Sequence, residues 1–159
     1  MIVIHFETGE ELELPLECLA GSNLRGLELH RAVFDSLDLI KTDFSGANLR
    51  NASFNNSLLN GVVMRGAALM NAALIGAQIK AADLSGVMAV GADFSEADLS
   101  MSNLKDSDVG GASFIKANLC GVNFGVRRMD GAIFFEAIFN EETVWPEGFD
   151  PIGGGAIKV

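Results

Sequence analysis

Residues 82–100 read ADLSGVMAVGADFSEADLS, and the spacing inside this stretch decides the fold. Leu84, Ala89, Phe94 and Leu99 fall at every fifth position, and Ala82, Val87, Ala92 and Ala97 stand two residues before them. Followed outward, one phase holds over residues 22–144 with no insertion or deletion, from Leu24 to Val144. Of its 25 central positions 11 are Leu and 8 are Phe, and the position two before is Ala in 13 and Ser in 4, so the typical unit carries one large apolar residue and one small residue.

Neither regular secondary structure can absorb this period. Five residues of α-helix advance by about 500°, so successive central residues would drift by about 140° and scatter round the cylinder. In a flat strand an odd period would send alternate central residues to opposite faces and expose half of the Leu and Phe. What remains is a chain that turns a corner every five residues and closes into a tube, with the central residue and the one two before it pointing inward. The position two after the centre fits the corner: Gly26, Gly46, Gly61, Gly66, Gly76, Gly86, Gly91, Gly111, Gly121 and Gly131 supply permissive backbone there.

In Ala47-Asn48-Leu49, Ala82-Asp83-Leu84, Ala92-Asp93-Phe94, Ala97-Asp98-Leu99 and Ala117-Asn118-Leu119 a small residue, Asp or Asn, and Leu or Phe follow one another. This resembles the motif of the pentapeptide-repeat family. The resemblance implies an all-β fold, a right-handed β-helix of square cross-section with four pentapeptides per coil. Residues 20 apart then stack about 4.8 Å from one another in about six coils. One ladder would be Phe34, Phe54, Leu74, Phe94, Phe114 and Phe134, and another Leu24, Phe44, Met64, Leu84, Leu104, Phe124 and Val144. Ala89 should leave its layer thin unless neighbours fill it. Arg127 falls on a small inward position where an unpaired guanidinium would be costly, so a loosened register at Gly125–Arg128 should release it to solvent.

The 159 residues read as one domain in three parts: an amino-terminal cap at 1–21, the repeat at 22–144, and a carboxy-terminal cap and tail at 145–159. Ile2, Ile4 and Phe6, then Leu12, Leu14 and Leu16, alternate with other residues around Glu7-Thr8-Gly9-Glu10, which reads as a β-hairpin with one apolar side. Such a hairpin would cover the open first coil, as solenoid ends require. At the other end an inward Glu142 and two prolines stop the repeat, and the rings of Trp145 and Phe149 would plug the last coil or meet a second copy in a homodimer. No apolar run approaches the roughly 20 residues of a membrane span, no secretory signal is evident, and with Cys18 before the tube and Cys120 at an outward position deep within it a structural disulfide is not expected. These features point to the cytoplasm.

Nothing in the sequence assembles catalytic chemistry. His5 and His30 are the only histidines and neither neighbours a cysteine, and the abundant Ser and Asp belong to the motif itself, so no enzyme, metal or cofactor is expected. Binding is the better expectation. The usually polar outward positions become apolar in the middle of the repeat, and folding the frame onto four sides gathers Ala68, Met70, Met88 and Val90 on one face with Ile75 round the corner. Apolar patches rimmed by charge mark interaction sites, and Met suits adaptable contact.

The net charge is −10. The quinolone-resistance branch of the pentapeptide-repeat family is known for acidic, dimeric rods that imitate duplex DNA and bind DNA gyrase, so the resemblance implies that function as the alternative. Charge placement weakens it: residues 1–24 hold five acids and no base, residues 25–128 hold ten of each, and residues 129–159 hold six acids and Lys158. Acid lies at the ends and no phosphate-like stripe runs along the tube, which also disfavours direct nucleic-acid binding. The expectation is a non-catalytic scaffold for an unidentified protein partner.

Overall fold

The computed structural model describes residues 1–159 and contains no helix. The chain winds as a square tube. Parallel bridges join residues 20 apart in four columns, which begin at Asn23↔Asp43, Glu28↔Asn48, Val33↔Ser53 and Asp38↔Leu58. Each side is so short that most of it is a single bridged residue between two turns, and the ladder is carried by hydrogen bonds between coils, such as Leu24 N–H to Asp43 C=O at 2.8 Å and Asp43 N–H to Ser22 C=O at 2.9 Å.

The corners follow from one turn geometry. At the corner after Phe44 the Ala47 N–H reaches back to the Phe44 carbonyl at 2.9 Å, and Gly46 between them has φ +68°. A turn of this kind needs positive φ at its third residue, which glycine adopts freely and Asn or Asp tolerate. From Gly26 to Glu136 every residue two after a centre takes positive φ except Val126. Val126 is the only β-branched residue among them, and β-branched side chains resist that region. Its corner opens: Val126 half-buries its own side chain against the core, while Arg127 turns out to solvent and its Nε donates to the Asp106 carbonyl at 2.9 Å. The coils stay in register across the defect, since Asn103↔Asn123 and Asp108↔Arg128 keep the 20-residue step.

Inside, central residues and their small partners form one core, nearly all of them fully buried. Phe114 lies stacked between Phe94 and Phe134, with ring centres 5.1 and 5.2 Å away and planes parallel within 2°. At four of the five small positions that hold a hydroxyl residue it bonds a backbone carbonyl, as Thr42 Oγ1 does to Leu19, Ser57 Oγ to Phe54, Ser102 Oγ to Ile79 and Ser107 Oγ to Leu104, while Ser22 Oγ in the first coil is buried without a partner. Those bonds meet the requirement that buried polar groups be satisfied. At Ala89 the small position two before is taken by Val87, bulkier than the usual Ala, and both residues are fully buried.

The last coil departs from the uniform frame. Asn118↔Ile138 keeps the 20-residue step, but Asn123 pairs with Val144, one residue further. Val144 is therefore outside, 53% exposed, and Trp145 takes the inward place on the second ladder, its ring parallel to Phe124 at 4.8 Å. The same slip corrects the inward placement of Glu142, which is exposed, and brings Thr143 in to bond the Leu119 carbonyl at 2.9 Å. Burying Glu142 would strand a carboxylate without a partner. One extra residue substitutes a hydroxyl that has one.

Two short sheets close the ends. Strand β1, Ile2–Phe6, pairs antiparallel with β2, Glu11–Leu14, and on its other edge with β3, Ala32–Val33, of the first coil. Ile4 is buried beneath that coil. At the far end β4, Ile138–Phe139, pairs in parallel with β5, Ile157–Lys158, so the tail returns to the ladder instead of trailing away. No helix is long and apolar enough to cross a membrane.

If the aromatic ladder sets stability, Phe114→Ala should cost about 3–5 kcal/mol in urea unfolding. Ser113→Ala, outward and holding only a 2.8 Å bond to Ser95, should cost about 1 kcal/mol or less. Equal losses would contradict the inward assignment.

Candidate protein-binding face

Because each centre points inward, the residues immediately before and after it point outward, and the ladder stacks those of successive coils. On the side centred on Leu49, Leu69, Ala89 and Val109, Ala68 bridges to Met88, and Leu69 N–H bonds the Met88 carbonyl at 2.7 Å while Asn71 N–H bonds that of Val90 at 3.0 Å. Ala68 and Met70 of one coil thus lie directly against Met88 and Val90 of the next, as the sequence frame placed them. Met88 is 42% exposed, and Ala68, Met70 and Val90 are half-buried. Ile75 stands on the neighbouring side beyond the Asn71 corner, 38% exposed, its N–H held by Asn55 Oδ1 at 3.0 Å.

The strip is bordered by polar groups on the same side. Toward the amino end are Asn48, whose amide donates to Glu28 at 2.7 Å, and exposed Arg50. Toward the carboxy end Arg128 Nε lies 3.2 Å from Asp108, with its guanidinium folded over Gly110, where no side chain competes for the space. Rigid backbone, four apolar side chains and a charged border make this face a surface that can bury apolar area against another molecule.

Two of the other sides are different in kind. Cations pair with acids of the next coil: Arg25 with Asp43 at 3.1 Å, Arg65 with Asp83 at 2.5 Å, Lys80 with Asp98 at 3.3 Å. Burial pushes the Asp83 carboxyl up, but bonds from Ser85 and Arg65 outweigh it and hold the group below the usual carboxylate range. For Asp98, burial is likewise outweighed by Ser100 and Lys80, and for Asp43 by Ser45 and Arg25. Burial and the nearby Asp98 push the Cys120 thiol up.

Trp145 and Phe149 do not project from the end of the tube. Trp145 meets Phe134 and Phe139 edge-on at 5.3 and 5.6 Å, and Phe149 lies 5.3 Å from Phe134 and 5.1 Å from Trp145, so the two rings continue the aromatic column. The apolar side chains that do face solvent here are Ile133, Phe135 and Val144, with Ile152, Ile157 and Val159 of the tail. A cleft at the other end, between the hairpin and the first coil, is lined by Phe6, Leu12 and three glutamates, and was not foreseen in sequence. Its walls are some 20 residues apart and meet only because β1 docks beside β3.

The model of the family described as pentapeptide repeats matches residues 19–51, 47–86, 74–111 and 90–125, in 8 copies. The chain belongs to the pentapeptide-repeat family. The family's right-handed, four-sided β-helix is the fold described above. Among solved structures, the chain is similar to HetL of the cyanobacterium Nostoc sp. strain PCC 7120, a pentapeptide-repeat protein involved in heterocyst differentiation regulation. The identity is 28% over 70% of this chain and 56% of that one, with a TM-score of 0.47. It is similar also to trypsin-treated QnrB1, a plasmid-mediated fluoroquinolone resistance protein, at 16% identity over 89% of this chain and 84% of that one, with a TM-score of 0.60. A third is Rfr23 of the cyanobacterium Cyanothece 51142, at 20% identity over 80% and 90%, with a TM-score of 0.46. This pentapeptide-repeat chain therefore spans little more than half the length of HetL, and its likeness to QnrB1 is one of fold. No sequence match to a curated protein was found.

Because Asp83 and Asp98 titrate below their unfolded value, their contribution to stability is present above about pH 4 and is lost as the pH falls through the lowered folded value. Urea midpoints followed between about pH 7 and about pH 3 should fall less steeply for Asp83→Asn/Asp98→Asn than for the native chain. An unchanged slope would show that these pairs do not couple protonation to folding.

Proposed function

We propose that this chain is a non-catalytic scaffold that binds another protein through the face formed by Ala68, Met70, Met88 and Val90, with Ile75 at its margin. The observation that carries the reading is the exposure of Met88 beside Met70 and Val90 on backbone held by coil-to-coil hydrogen bonds, within a side whose other outward residues are mainly polar or charged. A surface fixed in this way loses little entropy on binding, and methionine adapts to the partner's shape. The family fold supports a scaffold role. Both cysteines are free thiols, in keeping with a cytoplasmic setting.

A topoisomerase-binding imitation of DNA is the weaker reading. It requires unpaired carboxylates along the rod, whereas Asp43, Asp83, Asp98 and Asp108 each face a cation of a neighbouring coil. The exposure of Phe135 and Val144 near the Trp145 and Phe149 rings favours self-association at the carboxy-terminal end as a separate reading.

Met70→Glu with Met88→Glu changes outward side chains only, so stability should move by no more than about 1 kcal/mol. Co-purification of the partner from the native host should be abolished, and complex formation by the native chain should depend weakly on salt. Retained binding by the double variant would refute the face, and steep salt dependence would favour the acidic imitation.

A further inference from the structure

The amino-terminal cleft has the features of a second interaction site, independent of the apolar face. It measures about 530 Å³ and is lined by Phe6, Glu10, Glu11, Leu12, Glu28 and His30. Its back wall is a strand edge with nothing paired to it. One coil higher, the Asn48 N–H bonds the Leu27 carbonyl, the Asn48 carbonyl accepts from Leu29, and the Arg50 carbonyl accepts from Arg31. The equivalent groups of the first coil, the Glu28 N–H, the Glu28 carbonyl and the His30 carbonyl, have no partner in the chain. Strand β1 covers the adjoining side by pairing with Ala32–Val33, and the chain then turns away after Glu7 donates to the Arg31 carbonyl at 3.0 Å. An open edge of this kind takes another strand, and main-chain bonds are its source of affinity.

The side chains of the cleft state what that strand should carry. Glu28 meets only the Asn48 amide at 2.7 Å, Glu10 only the Thr8 hydroxyl at 3.1 Å, and Glu11 only His5 at 3.0 Å, so no lysine or arginine of the chain neutralises any of them. The first 24 residues hold five acids and no base. Phe6 and Leu12 add a half-buried apolar floor suited to the stem of a long cationic side chain. We propose that an extended segment of a partner protein adds to the Glu28–His30 edge as a further strand, placing a lysine or arginine between Glu10, Glu11 and Glu28.

The test uses the full chain and a short blocked peptide alternating lysine with valine, followed by fluorescence anisotropy. The lysine peptide should bind, and its counterpart with glutamate for lysine should not. A lysine peptide with alternate backbone nitrogens methylated keeps its charge but cannot pair with the edge, and should bind at least about tenfold more weakly. Glu10→Gln/Glu28→Gln should weaken binding of the unmodified peptide by a similar factor, with circular dichroism melting reporting that the variant is folded. Met70→Glu/Met88→Glu should bind the peptide as the native chain does, so failure here and failure of the apolar face are separate results. Absence of binding, equal binding of the methylated peptide, or no effect of removing the carboxylates would each overturn the proposal. The methylated-peptide comparison is made on the native chain and stands even if a variant fails to fold.

Discussion

The corner is the constraint on which the structure depends. A backbone that brings a large apolar residue inward every fifth position must bend sharply between units, and from Gly26 to Glu136 it does so by placing the residue two after the centre at positive φ, Val126 excepted. Glycine meets that demand at ten of the corners between Gly26 and Glu136, and Asn, Asp, Ser, Lys, Arg, Glu, Met or Ala meets it at twelve more. Each non-glycine corner carries a conformational cost, compensated by the coil-to-coil hydrogen bonds and the aromatic and aliphatic columns that the bend makes possible. Val126 shows the limit of that tolerance. Its branched side chain does not take the bend, and the local answer is a relaxed turn that also takes the Arg127 guanidinium out of the core.

Once the corners are set, chemistry is distributed by position. Two residues of every five are committed to the core, one to the bend, and only the two flanking each centre are free to vary toward solvent. A binding surface on such a rod must therefore be built by stacking outward positions of successive coils. Ala68, Met70, Met88 and Val90 do this on one side, while on others the same positions carry cation and carboxylate pairs. The rod is thus patterned by side, with an apolar strip in the middle of one and ion pairs between coils on two others, on a backbone that presents each side rigidly.

Much of this was legible in the sequence because a strict period leaves few alternatives. Phe114, Leu49 and Ala97 could be placed inside, and Met88 outside, from their phase alone, and the release of Arg127 followed from the cost of burying its charge. The departures lie where periodicity ends. Glu142 sits in an inward phase, and only the three-dimensional ladder reveals that the chain inserts a residue, exchanging Glu142 for Thr143 and Val144 for Trp145. The return of Ile157–Lys158 to pair with Ile138–Phe139 has no local signal, since it depends on where residues 146–155 carry the tail. The cleft was hidden for a similar reason: Glu10 and Glu28 belong to different segments and meet through the docking of β1 on the first coil.

Up to the last coil the tube consists of 20-residue coils stacked in constant register, and a distance along one side tests this most directly. Nitroxide labels at Arg25→Cys and Lys105→Cys, in a chain with Cys18 and Cys120 replaced by serine, would occupy the same outward column four coils apart. Pulsed spin-resonance spectroscopy should give one narrow distribution centred near 19 Å, from four steps of about 4.8 Å. A broad distribution, or a distance well beyond that span, would show that the five-residue repeat does not close into coils of this length.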